Sequence, residues 1–470
     1  MTTTGPRGRR TGRLRRRAVS PDAVLAVLLP LMCAGALVLV RPDAAGQAAH
    51  PPVRSELPTA SVVCPGAMPD AGKDQLGVTT LADGSDTKVR GAVDVGLGAD
   101  TSELSVQTGK VSPVSAGPGP VVVTGSEDLA PGLVAGRSAA APLGAMDCDP
   151  TAGDRWFTGV GAGASHSSIV ELVNPNPGRA VADISVWSPN GPLDVERLRG
   201  ITVPGGSSAR LDLAEVVPRR GELAIEVSTL RGQLSATVVD TYDELGGGAR
   251  ASDWLPGQSA PAAENLLLGL VRGQGERTLV LGNPGDSELR AEIQVVTPRT
   301  VFTPSGVEPV RVAPGTTQKV TLSSLLEEVS GEGATGLLVT ASGPLTATLR
   351  QFVNGDLSLL TPSSAVAEAT AVVVPQGRKR LVLADPGSVG AATVTALAAD
   401  GESLSSQRLE LKPDTGANLE LPEQAVLVVL TPERTTVRAA LLVVGEGSAV
   451  VRMRELVRTG LVPDVRPGLP

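Results

Sequence analysis

At 470 residues the chain exceeds what one hydrophobic core organises, so three or four domains are expected. Hydrophobic residues at 41% suffice for packed cores, but with aromatics at 1% those cores must be built from Val, Leu, Ile and Ala. Gly 55 and Pro 38 together make about a fifth of the chain, which argues against a helical protein and suits many short strands joined by turns.

Residues 1–22 form a basic arm, with seven Arg and no acid among the first seventeen residues. The net charge is −8, so removing those seven leaves −15 on the rest. The arm lacks the aromatics and folded motif of a nucleic-acid module, and no nucleic-acid partner is expected. Residues 23–40, "AVLAVLLPLMCAGALVLV", carry no charge and reach the minimum length of a membrane span. Arg before the span and little positive charge after it put the N-terminus in the cytoplasm and the bulk of the chain outside. A transmembrane anchor is the first reading; a cleaved signal segment using "AGA" at 34–36 is the second, and would make the protein secreted. Cys33 invites a lipoprotein reading, but Met32 stands where a small residue is required.

Residues 41–60 read as a linker, and residues 61–153 as a divergent β region. Three repeats follow, at 154–260, 261–370 and 371–455, before a tail at 456–470. "IVELVNPNPGRAVADISV", "LVLGNPGDSELRAEIQVV" and "LVLADPGSVGAATVTALA" each place a turn between alternating runs. The turns centre on Asn174-Pro175, Asn283-Pro284 and Asp385-Pro386, where Asx bonds the turn backbone and Pro fixes φ. Val170 and Leu172 match Leu279 and Leu281, then Leu381 and Leu383; Ala182, Ile184 and Val186 continue the period of two. Each copy reads as a hairpin. Downstream, "ITVPGGSSARLDL" with its two counterparts, and "LAIEVSTLRGQLSATVV" with its two, read as further hairpins. "LAEVV" and "LSSLLEEV" supply helical turns. Six or seven strands per hundred residues predict tandem immunoglobulin-like β-sandwich repeats behind an N-terminal transmembrane helix, an all-β fold. Each repeat supplies its own inward residues, so removing the third should leave the first two folded.

"VVCP" near the start of the exported part, "MDCDPTAGDRWFTG" and the Asn174-Pro175 turn carry a resemblance. Through Cys64, Cys148, Trp156 and that turn, the chain resembles the actinobacterial family of exported proteins catalogued as domain of unknown function 5719, over most of residues 55–370. The Arg-over-Lys, Ala/Gly/Val-rich composition suits such a high-GC source. The resemblance implies an envelope location and repeated β-domains, and transfers no catalytic residue.

Candidate chemistry is sparse. His50 lies in the linker and His166 reads as an exposed loop residue without a partner, so alanine there should be harmless. No zinc cluster, G-x-S-x-G elbow or nucleotide loop is spelled out, "GVGAGAS" being a strand connection. "DCDP" and "DTYDE" lack the spacing of a calcium loop and read as solvated turns. Trp156, Trp187 and Trp254 read as core caps rather than sugar platforms. No catalytic, cofactor-binding or metal residue is expected, and no cofactor. Cys64 and Cys148 both lie beyond the span and are expected to form a disulfide, within the chain or with another copy. The expected function is a non-catalytic, membrane-anchored extracytoplasmic adaptor or accessory subunit. Its partners would be other envelope proteins, a membrane glycosyltransferase system that assembles surface glycans among them. A glycan-binding protein is the alternative, and an envelope hydrolase stands behind it.

Overall fold

The computed structural model describes residues 28–32, 35, 53–69, 71–72, 74–81, 89–115, 117–244 and 248–462. Ser55–Gly460 form one compact unit; Met1–Arg54 with Leu461–Pro470 form another. In the smaller unit residues 28–32 are helical. The basic arm, the rest of the expected span with Cys33, most of the linker with His50, and residues 463–470 lie outside the described residues. Among the described residues, no helix is long and apolar enough to cross a membrane.

The larger unit is almost entirely β-structure. Its first region holds two four-stranded antiparallel sheets. One runs Thr59–Cys64, Val121–Ser126, Val93–Leu97, Asp100–Leu104; the other runs Ser112–Val114, Asp74–Thr80, Leu133–Ala140, Leu143–Asp147. Alternate residues from both sheets, Val62, Val93 and Val123 against Leu76, Val78 and Ala135, close one core around Cys64 and Cys148. The region expected to be divergent is thus a layered β arrangement within the larger unit, and its Leu143 and Ala145 join a core of the third repeat.

The repeated segments hold the main correction to the sequence reading: they are not hairpins. His166–Asn174 pairs with Ser207–Asp212 and Ser235–Asp243, whereas Ala180–Ser188 pairs with Gly191–Leu193, Ile201–Val203 and Arg220–Arg231. The strands flanking Asn174-Pro175 therefore do not pair with each other and sit apart in one nine-stranded sheet. Gly275–Asn283 and Leu289–Val296 likewise do not pair with each other, nor do Arg378–Ala384 and Gly390–Leu397. A tight hairpin uses a two-residue turn that keeps its strands in register. Here the Pro-containing connection carries the chain across the core, so Val170 and Leu172 meet Ala182, Ile184 and Val186 face to face. The downstream segments also cross: Ile201–Val203 joins the second strand, Ser207–Asp212 the first.

Asn174 ties two crossings together. Its Nδ2 donates to Gly178 O at 2.7 Å in the first corner, and to Val203 O and Pro204 O at 3.1 and 3.2 Å in the second. Its Oδ1 accepts from Asn176 N. Asn283 repeats the pattern with Ser287, Val312 and Ala313 carbonyls and Gly285 N. An aspartate has no N–H to give, and Asp385 takes another solution: a left-handed φ of 52° and an ion pair with Arg438 Nε at 2.8 Å.

The third crossing shows why the repeats are not independent. In the second repeat, Gly336–Val353 is a single 18-residue strand. Its first part pairs with Leu289–Val296 and its last part with Gly275–Asn283. The third repeat faces two cores at once. Leu381 and Leu383 point into its own, while Val382 and Ala384 join the core of the second repeat with Ala440, Leu442 and Val450. Phe352, Leu357 and Leu359 of the second repeat likewise complete the core of the first. Removing the third repeat would take Val382, Ala384, Ala440, Leu442 and Val450 out of the core of the second, so these two repeats share a core. The two helical segments fall where the sequence put them, at Leu213–Val216, capped by Asp212 Oδ1 on Ala214 N, and Ser323–Gly331.

Candidate functional site

His166 is not a loop residue. It opens the strand His166–Asn174 and is 6% exposed. The alternation that turns Leu172 and Val170 inward also turns Ser168 and His166 inward, and on the neighbouring strand it turns Asp240 inward beside Val238. His166 Nε2 lies 2.9 Å from Asp240 Oδ2, and Ser168 Oγ donates to Asp240 Oδ1. The glycines of "GVGAGAS" make room for this. A Cβ on Gly161 would stand 2.4 Å from His166 O and 2.5 Å from its ring, and Gly161 N donates to Ser168 Oγ.

The second repeat supplies the other half. Arg350 Nη1 reaches His166 Nδ1 at 3.1 Å and Glu222 Oε2 at 3.2 Å, while Nη2 donates to Glu222 Oε1 at 2.9 Å. Lys319 lies 3.4 Å from Glu222 and 3.5 Å from Glu276. Tyr242 Oη donates to Glu276 Oε2 at 2.7 Å, and the Arg350 guanidinium sits 5.3 Å over the Tyr242 ring. Burial raises Glu222, but Arg350, with Lys319 adding, holds it below the ordinary carboxylate range. Burial and the bond to Glu276 push Tyr242 up to about 12. Arg219 and Glu222, both at left-handed φ (62° and 55°), turn the loop at the rim. A cleft of about 390 Å³ lies beside the cluster.

The chemistry of this arrangement follows from its connectivity. A Ser-His-Asp relay needs histidine between nucleophile and carboxylate. Here Asp240 stands between Ser168 and His166, and the other ring nitrogen faces Arg350, which can only donate. Nδ1 therefore accepts, Nε2–H donates to Asp240, and His166 has no nitrogen directed at Ser168. The cluster joins two repeats by charge-assisted hydrogen bonds. Alanine at His166 is thus expected to destabilise the protein, reversing the expectation drawn from the sequence.

A second polar junction surrounds the other acidic motif. Asp147 and Asp149 of "DCDP" both face Arg454, whose Nε lies 2.7 Å from Asp147 Oδ2 and 3.2 Å from Asp149 Oδ1. Arg454 Nη2 donates to Cys148 O at 2.7 Å. Arg452 donates to Pro362 O and Gly257 O, so all four β regions meet around a cavity of about 190 Å³. Cys64 and Cys148 are bonded to each other within the chain. Neither acidic motif gathers ligands: Asp240 of "DTYDE" serves His166 and Ser168, while Glu244 Oε2 caps Ala249 N. Among the described residues no group of three or more His, Cys, Asp or Glu could hold a metal ion. Trp254 is a core residue whose Nε1 donates to Gly66 O, and Trp156 stacks on the half-buried Trp187 at 4.9 Å.

Burial pushes Asp147 up to about 7, with Asp149 adding and Arg454 opposing. A carboxyl whose folded value lies above its unfolded one costs stability as it ionises, so this cost grows between about pH 4 and pH 7. Asp147→Asn should therefore gain stability relative to the parent as pH rises through that window, read as the difference in urea midpoints. A difference that shrinks or stays flat from pH 4 to 7 would refute the assignment.

Residues 105–422 match one family, described as a family of unknown function, DUF5719. No curated protein matches the chain.

Proposed function

The chain belongs to the DUF5719 family, and we propose from that premise that it is a non-catalytic adaptor held at the membrane by residues 23–40. On this reading its immunoglobulin-like sandwiches stand outside the cytoplasm and present surfaces to other envelope proteins, including a glycosyltransferase system that builds surface glycans. The observation that carries it is the use of the best-formed polar cluster. His166, Asp240, Glu222 and Arg350 are committed to one another across the boundary of two repeats. Such pairing supports a rigid platform whose loops and sheet edges do the contacting. The intrachain disulfide supports an oxidising compartment.

Crosslinking in intact cells tests this. The full chain should be recovered with a reproducible membrane-protein partner, and a reporter active only outside the cytoplasm should work when fused after Pro470. Recovery of the chain alone, with the reporter silent, would reject the adaptor. A glycan-binding role has one observation of its own, the stacked Trp156–Trp187 pair with Trp187 partly exposed. It would appear as glycan rather than protein in the crosslinked product.

A further inference from the structure

Between the second and third repeats lies a cleft of about 430 Å³, within the size range of small-molecule sites. Its walls carry an excess of guanidinium groups without carboxylates bonded to them. Arg380, on the strand Arg378–Ala384, has a side chain only 13% exposed, and its buried Nε has no hydrogen-bond acceptor. The nearest carboxylate, Glu420 at 4.0 Å, is itself 77% exposed and solvated. Arg272 comes from the opposite wall, and Arg378 stands two residues before Arg380; both are exposed and form no ion pair among the described residues.

Of the other charged groups on the lining, Glu446 is exposed to solvent, while Lys379 and Asp356 are occupied. Lys379 points inward and gives its protons to Gly377 O and Glu423 O at 2.8 and 2.9 Å. Asp356 accepts from Ser448 N at 2.6 Å, and burial raises it against that bond. Burial lowers Arg380, and repulsion from Arg272 across the cleft lowers it further, although Glu420 opposes both. Two like charges held together beside a buried, unmatched donor are stabilised by an anion between them.

We propose that this cleft is a binding site for a phosphoryl group carried on a small polar molecule, gripped by Arg272, Arg378 and Arg380. A carboxylate matches one guanidinium fork, whereas a tetrahedral phosphoryl group offers oxygens to several donors arriving from different walls. The cleft volume leaves room for the group that bears the phosphate. No aromatic residue lines it, so recognition is polar rather than by stacking. The phosphoryl group can come from a soluble phosphate ester or from a lipid headgroup. The site does not depend on the adaptor reading.

Calorimetric titration of the detergent-solubilised full chain tests the site with inorganic phosphate, glycerol 3-phosphate and glycerol as probes. Flotation with phosphatidylglycerol and phosphatidylcholine vesicles tests the lipid source. Phosphate or its ester should bind and glycerol should not. The Arg272→Gln/Arg380→Gln variant should lose affinity by about tenfold or more, as expected for lost charge-assisted hydrogen bonds. Arg311→Gln, an exposed charge on another strand, controls for net charge and should bind like the parent. Arg272→Gln alone removes an exposed side chain, so its weaker binding cannot be ascribed to misfolding. Binding only to phosphatidylglycerol, lost in the double variant, would assign the phosphate to a lipid headgroup. Failure of every phosphate probe, or equal binding by the arginine variants, would overturn the proposal.

Discussion

Replacing Cys64 and Cys148 by alanine should lower stability by about 4–5 kcal/mol, the loop-entropy value for a crosslink of this span. The bond joins residues 84 apart and closes the first β region from the start of one sheet to just beyond the end of the other. Both sulfurs are buried among Val, Leu and Ala, so the substitution also removes contacts from the smallest of the four main cores. Loss should spread beyond that region, because Arg454 of the third repeat holds the Cys148 carbonyl and Trp254 of the first repeat holds Gly66. Tryptophan fluorescence in a urea titration reads the effect. A midpoint within about 1 kcal/mol of the parent would show that the crosslink contributes little beyond the sheets it joins, contrary to the loop-entropy account.

Arg350→Met should cost about 3–5 kcal/mol, the range for breaking a buried ion pair by deleting one partner. Methionine preserves much of the apolar stem but leaves Glu222 and His166 without their shared donor. The carboxylate then faces burial without the interaction that had lowered it. Glu222→Gln in the same chain should recover part of the loss, because it removes the stranded charge. Chemical denaturation of the parent, both single variants and the double variant gives the coupling energy. Additive losses would mean that Arg350 and Glu222 do not act as a pair.

Much of the architecture could be read along the chain. Alternation identified Val170, Leu172, Ile184, Leu279 and Leu381 as core residues, and all are buried. Position beyond the apolar segment identified Cys64 and Cys148 as a pair, and they are joined. The Asn174 and Asn283 turns were also visible, because Asx and Pro restrict the backbone locally.

Other features required long-range partners. Whether two alternating strands around a turn pair with each other or with different partners across the core leaves the same inward positions, so alternation alone reads a corner as a hairpin. His166 carried a usable signal, its even spacing from Ser168 and Val170, but its partner Arg350 lies 184 residues away. The outward faces of Arg378–Ala384 and Gly336–Val353 looked like the second side of independent units. Packing made them the cores of their neighbours, because strands apolar on both faces must be covered on both. Local stereochemistry and period therefore determined strands, turns and inward faces from sequence alone. Strand partners, the shared cores and the His166 cluster were decided only in three dimensions, where their energy comes from residues distant in the chain.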